Sequence, residues 1–317
     1  MSTASLPRTS PSSPQAGAAG PAAPAWQVWT GLWIVYIVWG STYLAIRVMV
    51  ETVPPLLGAG VRFAFAGAVM VAVLSVRRSV RLTRSQLLSA LFVGTLLMGA
   101  NAVVTVAEQE VPSALAALLI ASIPLWVIVM RRLAGEPLGR ASVVAVLVGF
   151  AGVALLVKPG EQSGEATALG LAACVFAAIM WAAGSFASPR AKLPRDPLVS
   201  TGWQMLLGGL VCIVAGLAVG EAPEVDPSAF STRSVVAFAY LVVFGSWVAF
   251  TAYAWLLQNA PISKVSTYAY VNPVVAIMLG WLILDEVITP ITLVGAAIIV
   301  ASVAAVVRLE TRRSNAR

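Results

Sequence analysis

The residues that could do chemistry in this chain are few, and their types exclude most catalytic chemistry. The 317 residues include no histidine and only two cysteines, Cys174 and Cys212, both inside apolar runs. The commonest metal ligand and the commonest acid–base group at neutral pH are therefore missing, and we interpret the cysteines as small buried hydrophobes. The phosphate-binding pattern GxxxxGK[ST] is also missing. We predict no catalytic residue, no metal site and no cofactor.

The densest cluster of polar residues comes just before a proline. Its members are Ser266, Thr267, Tyr268, Tyr270, Asn272 and Pro273. At about 100° per residue in a helix, Tyr268 and Asn272 share one face, and Ser266 and Tyr270 share another. Hydroxyl and amide groups find no partner in lipid, so we expect one of these faces to line a cavity that holds solute or water. Hydrogen bonding between helices is the alternative.

Further polar and aromatic residues lie at depth in other apolar runs. The remaining candidates for a substrate cavity are Trp39, Ser41, Thr42, Tyr43, Asn101, Trp181, Gln204 and Tyr253. For each tryptophan, anchoring at the membrane interface or packing is the competing interpretation. Pro124 and Pro273 each leave a backbone carbonyl one turn earlier without its helical partner. We predict that both prolines kink their helices at the cavity.

Two charged residues stand out among the apolar runs. Arg62 lies about seven residues into the second run, where a charge costs at least about 2.5–3.5 kcal/mol. Glu108 follows the third run and is a candidate partner for Arg62. A structural ion pair and a functional role remain open for both residues, and Glu108 is our candidate for a carboxylate that couples the function of the chain to protons. We expect Arg47 to extend toward the membrane surface.

These residues must be positioned by helices that cross a membrane. The chain is 59% hydrophobic and only 10% charged, whereas soluble domains carry about 25% charged residues. A bilayer core about 30 Å thick requires roughly 17–25 apolar residues in a helix. We count ten such segments, near 29–50, 55–76, 86–107, 113–130, 141–157, 167–187, 198–219, 234–257, 264–284 and 288–307.

Positive charges follow alternate connections between the segments. Sixteen lysines and arginines fall on one side and only Lys158 and Arg233 on the other. Basic loops stay in the cytoplasm, which predicts cytoplasmic N- and C-termini. The regions near residues 81, 135 and 193 should then be inside, and those near 162 and 224 outside. With no basic stripe carrying interleaved aromatics, we exclude nucleic acid as a partner.

The two halves of the chain repeat each other weakly. The matching pairs, 149 or 150 positions apart, are Gln109 and Gln258, Pro112 and Pro261, Pro124 and Pro273, and Glu136 and Glu286. Five helices per repeat is an odd number, so the second copy must insert upside down, as in many secondary transporters. We predict an all-α integral membrane protein with ten transmembrane helices in a 5+5 inverted repeat. The units are a disordered tail (1–25), two repeats (26–158 and 159–308) and a cytoplasmic tail (309–317).

Several short motifs resemble one family of membrane proteins. They are the stretches 39–43 (WGSTY), 54–55 (PP) with 62–63 (RF), 107–109 (AEQ), 112–113 (PS), 135–136 (GE) and 267–273 (TYAYVNP). The chain resembles permeases of the drug/metabolite transporter superfamily that contain two EamA domains. The resemblance covers about residues 29–308 and implies ten helices around a central cavity. One departure is Asp285-Glu286, where the family usually has Gly-Glu.

Together these observations predict a secondary-active exporter of small metabolites, amino acids or drugs that works by alternating access. Its partners would be a small solute and the lipid bilayer of the cell or inner membrane, and homo-oligomerisation stays open. An aromatic, amide-rich cavity with few charges favours small amphipathic or zwitterionic solutes. The alternatives are an intramembrane enzyme and a non-transporting scaffold; the missing catalytic groups and the short loops argue against them.

Overall fold

In the computed structural model, which describes residues 23–157 and 166–315, the protein is helical throughout and contains no strand in those ranges. The predicted tail up to residue 22 and the region near 162 lie outside the described residues. The helices are α1 (Ala25–Met49), α2 (Pro55–Ser75), α3 (Arg84–Ala107), α4 (Ser113–Ile120), α5 (Ile123–Leu133), α6 (Arg140–Leu156), α7 (Ala168–Ala187), α8 (Pro197–Val219), α9 (Thr232–Tyr240), α10 (Ala249–Asn259), α11 (Ile262–Val265), α12 (Tyr268–Leu284) and α13 (Pro290–Asn315).

The described helices agree with the prediction of an all-helical membrane protein. Eight helical stretches are long and apolar enough to cross a membrane, and two shorter apolar helices, α6 and α12, accompany them. These ten stretches correspond to the ten segments that the sequence indicates. Large apolar side chains such as Phe92, Val144 and Leu282 are more than half exposed, as expected where lipid is the solvent.

Three of the ten stretches are not uniform α-helices. The fourth is interrupted at Ala121 and Ser122, because Pro124 has no N–H for the Ile120 carbonyl and instead occupies the first turn of α5. In the ninth, a break at Ser266 and Thr267 separates α11 from α12, nearly two turns before Pro273, which lies inside α12. The eighth contains a π-helical segment, Leu241–Val248, between α9 and α10. The sequence did not predict that segment.

Glycines bring α2 and α8 into close antiparallel contact. A Cβ added to Gly67 would lie 2.6 Å from the carbonyl oxygen of Gly202, and one added to Gly60 would lie 3.0 Å from that of Gly209. Because no side chain separates the backbones, the helices pack tightly. We call this contact the α2–α8 seam.

A second antiparallel contact joins α6 to α13. A Cβ added to Gly149 would lie 2.6 Å from Ser302 Oγ, and one added to Gly152 would lie 3.0 Å from the side chain of Ile299. Ser302 also donates a hydrogen bond to the carbonyl of Ala145. We call this contact the α6–α13 seam.

Ion pairs identify which helix ends lie together. At the end that carries the C-terminus of α13, Arg131 pairs with both Glu136 and Glu310 at 2.6 Å. At the opposite end, the carboxylate of Glu221 accepts hydrogen bonds from the first backbone N–H groups of α2. We call the first the basic end and the second the opposite end. The described basic residues at connections concentrate at the basic end.

Candidate functional site: a central cavity

The candidate site is a cavity of about 110 Å³ enclosed by helices from both halves of the chain. Its walls come from α1, α2, α3, α4, α5, α7, α10 and α12. The lining residues are Trp39, Thr42, Tyr43, Ile46, Arg62, Ala100, Asn101, Val104, Ala117, Ile120, Ala121, Ile123, Pro124, Ala177, Trp181, Phe250, Tyr268, Ala269, Asn272 and Pro273. Most are small or apolar, and one is charged. Such a lining suits the apolar body of a small solute with a few fixed polar contacts.

A larger space lies between this cavity and the basic end. This vestibule has a volume of about 560 Å³ and shares Ile123, Pro124, Tyr268 and Ala269 with the cavity. Its other walls include Arg131 and Glu310 at the basic end. The vestibule therefore adjoins the cavity on the side of the basic end.

The sequence left open which face of the ninth segment lines a cavity. Tyr268 and Asn272, on one face, line the cavity, whereas Tyr270 lines neither space. Ser266 lines the vestibule. The side-chain amide oxygen of Asn272, Oδ1, is buried and accepts no hydrogen bond from the described residues. It is available to a donor on a solute.

The other candidates divide into three groups. Trp39, Thr42, Tyr43, Asn101 and Trp181 line the cavity, as do both predicted kink prolines. Tyr253 lines the vestibule. Ser41 and Gln204 do neither.

Both of those outliers are satisfied by local hydrogen bonds. The hydroxyl of Ser41 donates to the carbonyl of Val38 and shares a hydrogen bond with Tyr240 at 2.6 Å. The amide of Gln204 donates to Ser200 at 2.7 Å within α8. These two polar side chains therefore have hydrogen-bond partners within the helix packing.

Trp39 is the centre of an aromatic wall. Its ring lies 5.1 Å from those of Phe250 and Tyr253 and 5.4 Å from that of Tyr268, between ring centroids. The tilted and edge-on arrangements are those that aromatic pairs prefer. This wall joins α1 to α10 and α12 where the cavity meets the vestibule.

Among the described residues that line the cavity, Arg62 is the one that carries a charge. Its side chain is 97% buried, with 3% exposed. Its Nε donates to Ser246 Oγ at 3.2 Å, and its guanidinium carbon lies 4.5 Å from the centroid of the Phe63 ring. Arg62 and Glu108 do not form the ion pair that the sequence left open, because no salt bridge joins them among the described residues.

Glu108 lies instead beyond the cavity, at the opposite end. It is fully buried, and its two carboxylate oxygens accept no hydrogen bond from the described residues. Arg47 donates to the backbone carbonyl of Glu108. The expectation that Arg47 extends to the membrane surface is therefore wrong, because this carbonyl at the end of α3 provides a nearer acceptor.

The repeat-related Glu136 and Glu286 have different partners. Glu286 accepts hydrogen bonds from the backbone N–H groups of Ser113, at 2.7 Å, and Ala114, at 3.0 Å. Glu286 thereby caps the N-terminus of α4 at the opposite end. Glu136, at the basic end, binds Arg131 and Arg190. The hydrogen bond from Arg131 holds the pKa of Glu136 below its ordinary value, and Arg190 adds to the effect.

Comparison with known proteins places this helical architecture in a family. The model of the EamA-like transporter family matches residues 29–158 and again residues 168–308. The chain belongs to the EamA-like transporter family. It contains two EamA repeats, which the resemblance in the sequence predicted.

Curated relatives of this EamA protein include one that is named as an inner membrane transporter. YedA of Escherichia coli (strain K12), an uncharacterized inner membrane transporter, is 37% identical over 274 residues, which cover 86% of this chain and 88% of YedA. Protein PecM of Dickeya dadantii is 29% identical over 267 residues, or 83% of this chain and 86% of PecM. A solved crystal structure covers 90% of this chain and 98% of its own, with a TM-score of 0.61 and 25% identity.

Sequence reasoning missed the small residues of the EamA cavity. Alanines such as Ala100, Ala117 and Ala177 line it, but an alanine in a sequence does not distinguish a cavity wall from a tight helix contact. Sequence reasoning also missed Gly245, where an added Cβ would lie 3.0 Å from Nη2 of Arg62. The π-helical segment that contains Gly245 has no evident sequence signature. Asp285, the departure from the usual Gly-Glu, has φ 53°, in the left-handed region that its counterpart Gly135 also occupies. The geometry of that turn is thus kept without the glycine.

Proposed function

We propose that this protein is a secondary-active transporter that exports small amphipathic or zwitterionic solutes across the inner membrane by alternating access. The observation that carries this proposal is a central cavity between the two halves that adjoins a larger vestibule at the basic end. A transporter needs such a site to be reachable from one side at a time. With the predicted orientation, the basic end faces the cytoplasm and the conformation is inward-open.

The α2–α8 seam supports the proposed 5+5 inverted repeat. In the α2–α8 seam, Gly60 contacts Gly209 and Gly67 contacts Gly202. The repeat pairs them differently: Gly202 lies 142 positions after Gly60, and Gly209 lies 142 positions after Gly67. Trp39 and Trp181 have the same separation. Across a two-fold axis, if residue i contacts the equivalent of residue j, then residue j contacts the equivalent of residue i. The four glycines follow this rule. Because the helices are antiparallel, that axis lies in the membrane plane.

The different partners of Glu136 and Glu286 support alternating access. In an inverted repeat, the two glutamates occupy equivalent positions at opposite ends. Glu286 holds the closed end by accepting from the start of α4, whereas Glu136 at the open end is held by arginines. The two halves thus adopt different arrangements of the same elements. Exchanging those arrangements would close the basic end and open the opposite one.

Glu108 is our proposed proton-coupling residue. An ionised carboxylate that is fully buried and has no hydrogen-bond donor is unfavourable, so the closed opposite end favours its proton-bound form. Opening that end to water would favour release of the proton. A group whose proton affinity differs between two states is what coupling requires.

The primary test is ATP-independent movement of solute by the purified full chain in liposomes. Vesicles loaded with a mixture of cellular metabolites should lose specific compounds faster than protein-free vesicles. Loss that requires ATP, or no loss beyond the protein-free rate, would contradict a secondary transporter. For coupling, Glu108→Gln should retain solute exchange but lose its response to an imposed pH gradient. A Gln variant that keeps the wild-type response would exclude Glu108 as the coupling site.

A further inference from the structure

We propose that Arg62 binds a carboxylate group of the transported solute, so that substrates are small organic acids or zwitterions with one carboxylate. This assignment rests on the proposed transport function and names the chemistry of its substrate. It follows from a buried positive charge that lines the cavity without an acidic partner among the described residues.

A buried guanidinium requires a source of negative charge. Taking a charge out of water is expensive unless a counter-charge and hydrogen bonds replace the solvent. The acidic residues nearest along the surrounding helices are committed elsewhere: Glu221 accepts from the start of α2, and Glu286 from the start of α4. Glu108 lies with Arg47 beyond the cavity. An anionic solute would supply the counter-charge that the described residues do not.

Arg62 is held in place by contacts with two neighbouring residues on another helical stretch. Ser246 Oγ accepts from its Nε, and the same hydroxyl donates to the carbonyl of Leu241 at 3.1 Å, which fixes the serine. The residue before it, Gly245, leaves room for the guanidinium, since a Cβ there would lie 3.0 Å from Nη2. Both belong to the π-helical segment, and such segments frequently occur at functional sites. The fixed Nε leaves the terminal N–H groups for a ligand.

The chemistry favours a carboxylate over a phosphate. A guanidinium presents two parallel N–H groups that match two oxygens of either a carboxylate or a phosphate, so the charge of the ligand decides between them. Among the cavity-lining residues Arg62 is the single charge, so it balances one negative charge, whereas a phosphate dianion would keep an excess. The aromatic wall of Trp39, Phe250 and Tyr268 offers an apolar surface for the rest of the solute.

The test compares acids with their neutral amides of the same shape. The full chain, purified in detergent, is unfolded thermally with increasing acetate or acetamide, isovalerate or isovaleramide, and phenylacetate or phenylacetamide. A ligand that binds only the folded state raises the unfolding temperature. We expect at least one acid to raise it at concentrations where its amide does not, and its apparent affinity to fall at least about tenfold in Arg62→Gln.

Two further variants separate binding from folding and from general charge effects. Arg62→Lys keeps the charge but not the two parallel donors, so it should keep the preference for the acid with weaker binding. Arg233→Gln removes an exposed guanidinium that lies near Glu51 and should respond like the wild type. The proposal is overturned if no acid raises the unfolding temperature more than its amide does. It is also overturned if Arg62→Gln and Arg233→Gln bind the acid with the same apparent affinity.

The outcome is distinguishable from failure of the transport proposal. Metabolite loss from liposomes that shows no preference for carboxylates would overturn the role of Arg62 and leave transport standing. Binding of an acid through Arg62 without any flux would overturn transport and leave the binding site standing.

Discussion

The contact between Glu286 and the start of α4 should decide how readily the closed end opens. The carboxylate accepts two backbone hydrogen bonds, at 2.7 Å from Ser113 and 3.0 Å from Ala114. Glu286→Gln keeps one acceptor oxygen and removes the charge. A hydrogen bond to a charged group contributes about 1.5–3 kcal/mol, so losing one should shift the equilibrium toward the outward-open state by roughly ten- to hundredfold.

Thiol labelling can measure this shift at Ser113. Its side chain is fully buried beside Gly280, and its hydroxyl has no hydrogen-bond partner among the described residues, so Ser113→Cys should be tolerated. With Cys174 and Cys212 replaced by Ala, the cysteine at 113 is labelled with a membrane-impermeant thiol reagent on intact cells. We expect labelling to be at least about tenfold faster in the Glu286→Gln background.

Glu221→Gln is the matched control. Glu221 also accepts two backbone hydrogen bonds at the start of a helix, at 3.0 Å from Leu56 and 2.7 Å from Leu57. It caps the start of α2, so its replacement leaves the contact between Glu286 and α4 intact. Its replacement should lower the thermal stability without accelerating labelling. Equal labelling rates in Glu286→Gln and its parent, or an equal acceleration in Glu221→Gln, would refute the reasoning.

Three further predictions concern orientation, kinks and packing. A single cysteine at Arg81 should resist an impermeant thiol reagent on intact cells and react after permeabilisation; labelling from outside would reverse the topology. Pro124→Ala and Pro273→Ala each restore a backbone N–H, which should stiffen the helix and reduce flux at normal expression, and unchanged flux in both would contradict a role for the kinks. Gly67→Ala places a Cβ 2.3 Å from the backbone nitrogen of Leu206, so it should destabilise the protein by about 1–3 kcal/mol. Gly99→Ala, which meets only the flexible end of Met180 at 3.0 Å, should be close to neutral in the same thermal unfolding assay.

The parts of the fold that the sequence predicts are those governed by hydrophobicity. Long apolar runs separated by polar turns correspond to the ten helical stretches, because lipid requires each crossing backbone to satisfy its own hydrogen bonds. Polar residues within a run also narrow down the cavity, as Tyr268 and Asn272 illustrate.

Side-chain partners across helices could not be predicted in the same way. The Arg62 and Glu108 pairing was suggested by closeness along neighbouring segments, but rotation of each helix about its axis decides which way a side chain points. Gln204 and Asn101 are both amides within apolar runs, so the sequence treats them alike. The side chain of Gln204 nevertheless donates to Ser200, one turn earlier in the same helix. The π-helical segment at Leu241–Val248 depends on tertiary packing and is not visible in hydropathy.

The α2–α8 seam has a consequence for the origin of such a chain. Gly60 and Gly67 find in Gly209 and Gly202 the same kind of surface that they themselves present. A half-length protein with one such helix would need no other partner than a second copy inserted in the opposite direction. Gene duplication and fusion would then preserve an existing contact instead of creating a new one. The seam thus marks where two ancestral subunits would have met before a single gene encoded both.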